Sequence, residues 1–150
     1  MHDRSRFDVY CYSLRKSDGS SFRNTIEAGA ENFIECSALD SVSVAKRINS
    51  DGIHICINLN GYTKGGRSEI FAMRPAPIQM LYMGFPGTMG ADYIDYLVTD
   101  KSASPEHLAA TVYHEALLWA PPTHTRPIPP PDPPARSLSA SLPLPSLSLS

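Results

Sequence analysis

The stretch Ile53-His54-Ile55-Cys56-Ile57-Asn58-Leu59 decides how the rest of the chain is read. It is rich in β-branched and apolar residues, is preceded by the helix stop Asp51-Gly52, and opens downstream into Asn60-Gly61. Residues 53–59 therefore read as a strand, apolar on both faces. Such a strand is ordinarily covered above and below, the condition of a parallel sheet sandwiched by helices. Upstream, Leu39, Val42, Ala45 and Ile48 recur every three residues with Val44 beside them, which predicts an amphipathic helix over residues 39–49. Before that lie the short apolar run Phe33-Ile34 leading to Cys36, a helical pattern with Phe22, Ile26 and Ala30 at four-residue spacing, and the β-rich run Phe7-Asp8-Val9-Tyr10-Cys11-Tyr12.

Downstream the alternation continues. A short helix over residues 67–73 is stopped by Pro75 and Pro77, because the residue before a proline avoids the helical region. Strands follow over residues 78–83 and 93–98, separated by a glycine-rich turn at 84–90, and residues 117–119 make a last strand. Ser104-Pro105-Glu106 reads as a helix start: serine to cap, proline at the first helical position, glutamate toward the positive end of the dipole. Strand and helix in alternation predict an α/β class: a Rossmann-like, doubly wound parallel sheet.

The chain has 150 residues, enough for one domain. A net charge of -2 provides no broad positive field, so nothing points to nucleic acid or an anionic membrane. Cys11, Cys36 and Cys56 are widely spaced, odd in number and form no Cys-x-x-Cys pair, which fits a reduced, intracellular chain. The polar start lacks the apolar core of a secretory signal, and no stretch reaches the ~20 apolar residues of a membrane span. The first element begins almost at once, at Phe7, which leads one to expect further sequence upstream. From Pro121 the composition changes: ten of the 14 prolines fall between Pro121 and Pro145, and the end is Ser, Leu, Ala and Pro. Two units result, a folded one at 1–121 and a low-complexity tail at 122–150, read as a disordered extension or as read-through sequence. Pro129-Pro130-Pro131 and Pro133-Pro134 are the part of it that an SH3- or WW-like groove would accept.

In an open parallel sheet, ligands bind beyond the carboxyl ends of the strands. Two loops leave candidate strands there. Asn58-Leu59-Asn60-Gly61-Tyr62-Thr63-Lys64-Gly65-Gly66-Arg67 carries amides, hydroxyls, two cations and three glycines. A helix starting near Gly66 would present free N–H groups to an anion or carbonyl. Met83-Gly84-Phe85-Pro86-Gly87-Thr88-Met89-Gly90 leaves a neighbouring strand and would frame the same cleft. Neither loop is Gly-x-Gly-x-x-Gly or a P-loop, and by residues alone tight turns whose glycines solve backbone geometry are the preferred account of both. His54, between Ile53 and Ile55, reads as a hydrogen-bonded core histidine. Asp95 and Asp100 lack acid–base spacing, with Asp100 suited to capping a turn. Tyr93 and Tyr96 read as core packing. His107, His114 and His124 have no ligand spacing with cysteines or carboxylates, so no metal site is expected.

Residues 51–65, Asp51-Gly52-Ile53 through Asn60-Gly61-Tyr62-Thr63-Lys64-Gly65, resemble the catalytic region of the O-GlcNAc transferase family. So do Arg74-Pro75-Ala76-Pro77-Ile78-Gln79 and Gly84-Phe85-Pro86-Gly87-Thr88 through Asp95-Tyr96. The resemblance covers residues 7–121 and is closer to the GlcNAc-adding enzymes than to the fucose-adding plant proteins of the SPINDLY type, which differ at Asn60-Gly61-Tyr62-Thr63-Lys64. It implies a partial N-terminal lobe of a glycosyltransferase B fold, preceded by tetratricopeptide repeats. It also implies a cytoplasmic and nuclear enzyme that moves N-acetylglucosamine from UDP-GlcNAc to Ser or Thr of proteins, with inversion and without a metal or cofactor.

By motif match, Tyr62, Thr63, Lys64, Met83 and Gly84 would lie on the acceptor-peptide side of the cleft as contacts, with no catalytic residue in this chain. The family's Gly-Asn-His-Pro motif would lie upstream and its UDP-binding lobe downstream, so the chain is expected to be a fragment, inactive alone, whose partners are Ser/Thr-containing proteins and the missing lobe and repeats. The alternative is a non-catalytic Rossmann-like module that binds peptides or other partners.

Overall fold

A computed structural model describes residues 3–82, 85 and 87–120. In chain order its elements are β1 (Tyr10–Ser13), α1 (Ser21–Gly29), β2 (Asn32–Glu35), α2 (Ser41–Ser50), β3 (Ile55–Asn58), α3 (Glu69–Ala72), β4 (Ile78–Tyr82) and β5 (Tyr96–Thr99). A 3-10 turn at Glu106–Leu108, α4 (Ala109–Val112) and β6 (Ala116–Trp119) follow. All the strand pairs are parallel, as the alternating pattern predicts. They form two sheets, however, and not one run: β1 with β2, and β3-β4-β5-β6.

Local chemistry sets the helix ends. The Ser20 hydroxyl accepts from the amide of Arg23 at the start of α1, and Asp40 does the same for Ser43 at the start of α2. Gly52, at φ +68°, ends the second helix in a conformation only glycine adopts freely. The expected serine cap at Ser104 does not form. Pro105 is itself the cap residue, and the Ser104 hydroxyl turns inward to Thr99 (2.9 Å) and Tyr113 (3.0 Å), where burial demands partners for it.

The core joins Val44, Ala45 and Ile48 of α2 and Ile70 and Phe71 of α3 to Cys56, Leu81 and Leu97 of the four-stranded sheet. The parallel register aligns Asn58, Leu81, Leu97 and Leu117 in one row on that covered face. Buried Gln79 adds a polar rivet, donating through Nε2 to the carbonyls of Phe71 (2.8 Å) and Tyr93 (2.6 Å). The two-stranded sheet is attached through Tyr12, Leu14 and Ile34, which pack on this core, and through the Tyr12 hydroxyl, which donates to Asp51 at 2.8 Å. Burial alone would raise the Asp51 carboxyl, but hydrogen bonds from Tyr12 and Arg47 outweigh it and hold the group below the ordinary carboxylate range. The same desolvation, with Asp51 adjacent, pushes the Tyr12 phenol upward.

Strand β3 departs from its sequence reading. Cys56 and Asn58 are buried, but Ile55 and Ile57 are 46% and 47% exposed. Helices α2 and α3 both contribute to the core on the Cys56 side, so among the described residues the opposite face has no such cover. Helix α1 repeats the theme: it forms where its periodicity predicts, yet Phe22 is 81% exposed and no residue of the helix is buried. His54 is also exposed, ahead of β3 and not within it, and only its carbonyl is engaged, accepting from the Ile78 amide.

Candidate functional site

Strands β3 and β4 are hydrogen-bonded neighbours running in the same direction, so the loops that follow them emerge on one rim. The first loop is organised by Asn58, the buried last residue of β3. Its Oδ1 accepts from the amides of Asn60 and Gly61, each at 2.9 Å, which folds the chain back over the strand end. The amide of Thr63 then reaches the Asn60 carbonyl at 3.1 Å and that of Gly66 the Thr63 carbonyl at 2.9 Å. The Gly66 N–H is thus used inside the loop, and α3 begins only at Glu69 and has four residues. The expected free amides at a helix start near Gly66 are absent because the turn consumes them.

Glycine at position 61 is a steric requirement. Its φ is +52°, and a Cβ there would come within 2.3 Å of the Phe85 Cβ. The second loop therefore leans directly on the first. Tyr62 extends this contact: its ring meets Phe85 edge to face at 5.7 Å, and its hydroxyl donates to the Met89 carbonyl at 2.8 Å. The Asn58 amide nitrogen also lies 3.5 Å from the Met89 sulfur. Burial, followed by the neighbouring Tyr62 hydroxyl, raises the Tyr93 phenol above its ordinary value.

Of the residues singled out in sequence, the structure brings Tyr62, Thr63 and Lys64 to this rim. Tyr62 is 56% exposed, the Thr63 hydroxyl donates to the Asn60 carbonyl at 2.7 Å, and Lys64 is exposed while its carbonyl accepts from Arg15 at 2.5 Å. Met83 and Gly84 lie outside the described residues, as does the tail from Pro121. The rim presents an aromatic surface, a hydroxyl and an ammonium. Among the described residues no group of three His, Cys, Asp or Glu is placed to hold a metal ion, and no helix is long and apolar enough to cross a membrane.

The remaining candidates take structural posts. Asp95 accepts from the Gln79 amide at 2.8 Å and pairs with Arg74 at 3.1 Å, and Asp100 caps a turn through the amides of Ser102 and Ala103. Tyr93 packs against the core, and Tyr96 is half-buried. His114 pairs with Asp92 at 2.7 Å. Two residues that hold the rim escape sequence reading, Arg15 and Glu115, while Met89 enters it only as a member of the second loop. Arg15 reaches the first loop from a segment 49 residues away, and nothing local signals that. A lone acid directly before the apolar run Ala116–Trp119 is the one weak sign that Glu115 is engaged.

Residues 1–125 match the glycosyl transferase family 41 model. The chain belongs to glycosyl transferase family 41. Within this family it is 55% identical over 121 residues to the probable UDP-N-acetylglucosamine–peptide N-acetylglucosaminyltransferase SEC of Arabidopsis thaliana, covering 81% of this chain and 12% of that protein. It is 48% identical over 124 residues to the UDP-N-acetylglucosamine–peptide N-acetylglucosaminyltransferase of Caenorhabditis elegans, covering 82% of this chain and 11% of that protein. The SPINDLY protein of A. thaliana is more distant, at 31% over 107 residues, covering 69% of this chain and 12% of that protein. This ordering agrees with the sequence reading. In three dimensions the family-41 chain superposes on a mutant O-GlcNAc transferase of Thermobaculum terrenum with a TM-score of 0.73 and 30% identity, over 79% of this chain and 22% of that one. The parallel sheets and flanking helices are thus part of a glycosyltransferase B fold, and the chain spans about an eighth of the length of these curated relatives.

Proposed function

We propose that this chain forms the acceptor side of the first lobe of a protein O-GlcNAc transferase. In this reading the rim built by Tyr62, Thr63 and Lys64, together with Met83 and Gly84, holds a Ser- or Thr-containing segment of a cytoplasmic or nuclear protein. N-acetylglucosamine is then transferred to it from UDP-GlcNAc held by a second lobe, without a metal or cofactor. The observation that carries the reading is the tie between the two loops, Tyr62 hydroxyl to Met89 carbonyl at 2.8 Å, in the segment most like the family's catalytic region.

An extended peptide recognised irrespective of its side chains needs an apolar wall and few polar anchors. A half-exposed Tyr62 braced by Phe85 offers the wall, and Lys64 and Thr63 the anchors. Transfer itself requires groups that stabilise the departing diphosphate, and in this reading the second lobe supplies them. The 150-residue chain alone is accordingly an inactive contact surface, and the repeats and second lobe are its partners within a longer polypeptide.

The test is transfer of labelled N-acetylglucosamine from UDP-GlcNAc to a Ser/Thr peptide, run with the 150-residue chain and with the same chain continued into a family-41 second lobe and repeats. Transfer by the longer product alone is the expected result. Transfer by the short chain would overturn its inactivity. A longer product that binds the peptide without transferring sugar would replace the enzyme reading with that of a peptide-binding module.

A further inference from the structure

Glu115 is a charged side chain only 4% exposed, at the entrance to β6, and among the described residues it makes no ion pair. Burying a carboxylate is costly unless its oxygens are satisfied. Here both are, and by one loop: Oε1 accepts from the Met89 amide and Oε2 from the Thr88 hydroxyl, each at 2.7 Å. The Thr88 oxygen in turn accepts from the amides of Gly90 (2.9 Å) and His114 (3.2 Å), so its single proton is committed to Glu115. The other end of the Met89 residue, its carbonyl, takes the Tyr62 hydroxyl. A continuous line therefore runs from the carboxylate through Met89 to the exposed aromatic ring.

We propose that Glu115 is a positioning residue for acceptor binding, fixing the Tyr62 ring by clamping Met89. The inference rests on the acceptor-side reading above and goes beyond it by naming a residue that never meets the peptide. A carboxylate suits the post because it accepts two hydrogen bonds with no donor of its own. Glutamine would turn an N–H₂ group toward either the Met89 amide, which can only donate, or the Thr88 hydroxyl, whose oxygen has no free lone pair while it accepts from two amides. The Met89 carbonyl would then shift, and Tyr62 with it.

The experiment is fluorescence anisotropy with the 150-residue chain and a labelled, uncharged Ser/Thr peptide, well below the melting temperature of each variant. Tyr62→Phe, which removes the tie to Met89, and Glu115→Gln are each expected to weaken binding about fivefold, the worth of one net hydrogen bond. The double variant is expected to be no weaker than Glu115→Gln alone, because both act through the same ring. Thr88→Val, which keeps the carboxylate and removes one of its donors, is expected to give a smaller loss and supplies a second readout where Glu115→Gln folds poorly. A structural role alone would lower the melting temperature without this non-additivity. Binding weakened by Tyr62→Phe but not by Glu115→Gln or Thr88→Val, or losses that multiply in the double variant, would overturn the proposal and leave the acceptor reading intact. A wild-type chain that does not bind the peptide, or one that binds it as well with phenylalanine at position 62, would sink the acceptor reading of Tyr62 and this inference with it.

Discussion

The two faces of the four-stranded sheet share a backbone and differ in almost everything else. On one, Cys56, Leu81 and Leu97 are buried beneath α2 and α3, and the polar members Asn58 and Gln79 are hydrogen-bonded. On the other, Ile55, Ile57, Ile78, Tyr82 and Leu118 stand exposed, Ile55 beside Ile78 and Tyr82 aligned with Leu118 through Val98. Both faces are apolar in sequence, yet among the described residues only one is covered. An uncovered apolar sheet face of this kind is a surface made for another layer. The matched stretch is only 12% of the SEC protein of A. thaliana, which has sequence enough to supply one.

The contrast is broken most forcefully in the covered layer. Leu81→Ala empties a fully buried position in the central row and is expected to cost 2–5 kcal/mol, read as a lowered midpoint in urea unfolding, roughly the span for such deletions. Should it cost no more than an exposed substitution, the core has been assigned to the wrong face. Gly61→Ala is expected next, at about 1–3 kcal/mol, since it combines a left-handed backbone with a Cβ 2.3 Å from Phe85. Because the strain sits at the rim, it is also expected to part the two loops. Faster hydrogen exchange at the Asn60 and Gly61 amides would register that parting, and unchanged exchange would count against the tie.

How far the sequence carried depends on the range of the forces involved. The strands, α2 with its Asp40 side and the stop at Gly52 are written in local periodicity and capping, and they stand where residues 39–59 predict within a few positions. Parallel pairing follows from the alternation of elements. The division into two sheets, the bare faces of β3 and α1 and the inward turn of Ser104 depend on what lies across the fold, which no window of sequence contains. The same holds at the rim. Tyr62, Thr63 and Lys64 carry a family pattern, whereas Arg15 and Glu115 act across 49 and 26 residues and have no pattern to show. His54 departs from its reading for a local reason: the strand starts one residue later, at Ile55, so the alternation that would turn position 54 to the Cys56 side does not reach it and the ring stays exposed.

Smaller effects sharpen the same comparison. Tyr12→Phe removes the bond to Asp51 that attaches the two-stranded sheet to the covered layer, for an expected loss of about 1 kcal/mol at neutral pH. The Asp51 carboxyl is depressed in the folded protein, so its contribution is present above the unfolded carboxylate range and is lost as pH falls through the lower folded value. The difference between Tyr12→Phe and wild type should therefore shrink in acid, and a gap constant down to pH 2 would mean that Asp51 is not the partner.

The finest test uses neighbours on one strand. Cys56 faces the core, and burial pushes its thiol up to about 11, while Ile57 beside it faces out. Ile57→Cys is expected to change stability by no more than about 0.5 kcal/mol, as exposed substitutions do. Its new thiol should nevertheless react with a maleimide at neutral pH far faster than Cys56, which is both shielded and protonated. With Cys11 replaced by serine to remove the half-buried thiol of β1, two adjacent cysteines then report on opposite faces of a single strand. Equal labelling would mean that the outer face is covered in solution, by self-association of the bare sheets. Repeating the reaction across a dilution series decides that point, because a face covered by a second copy becomes reactive as the concentration falls, whereas one covered by its own chain does not.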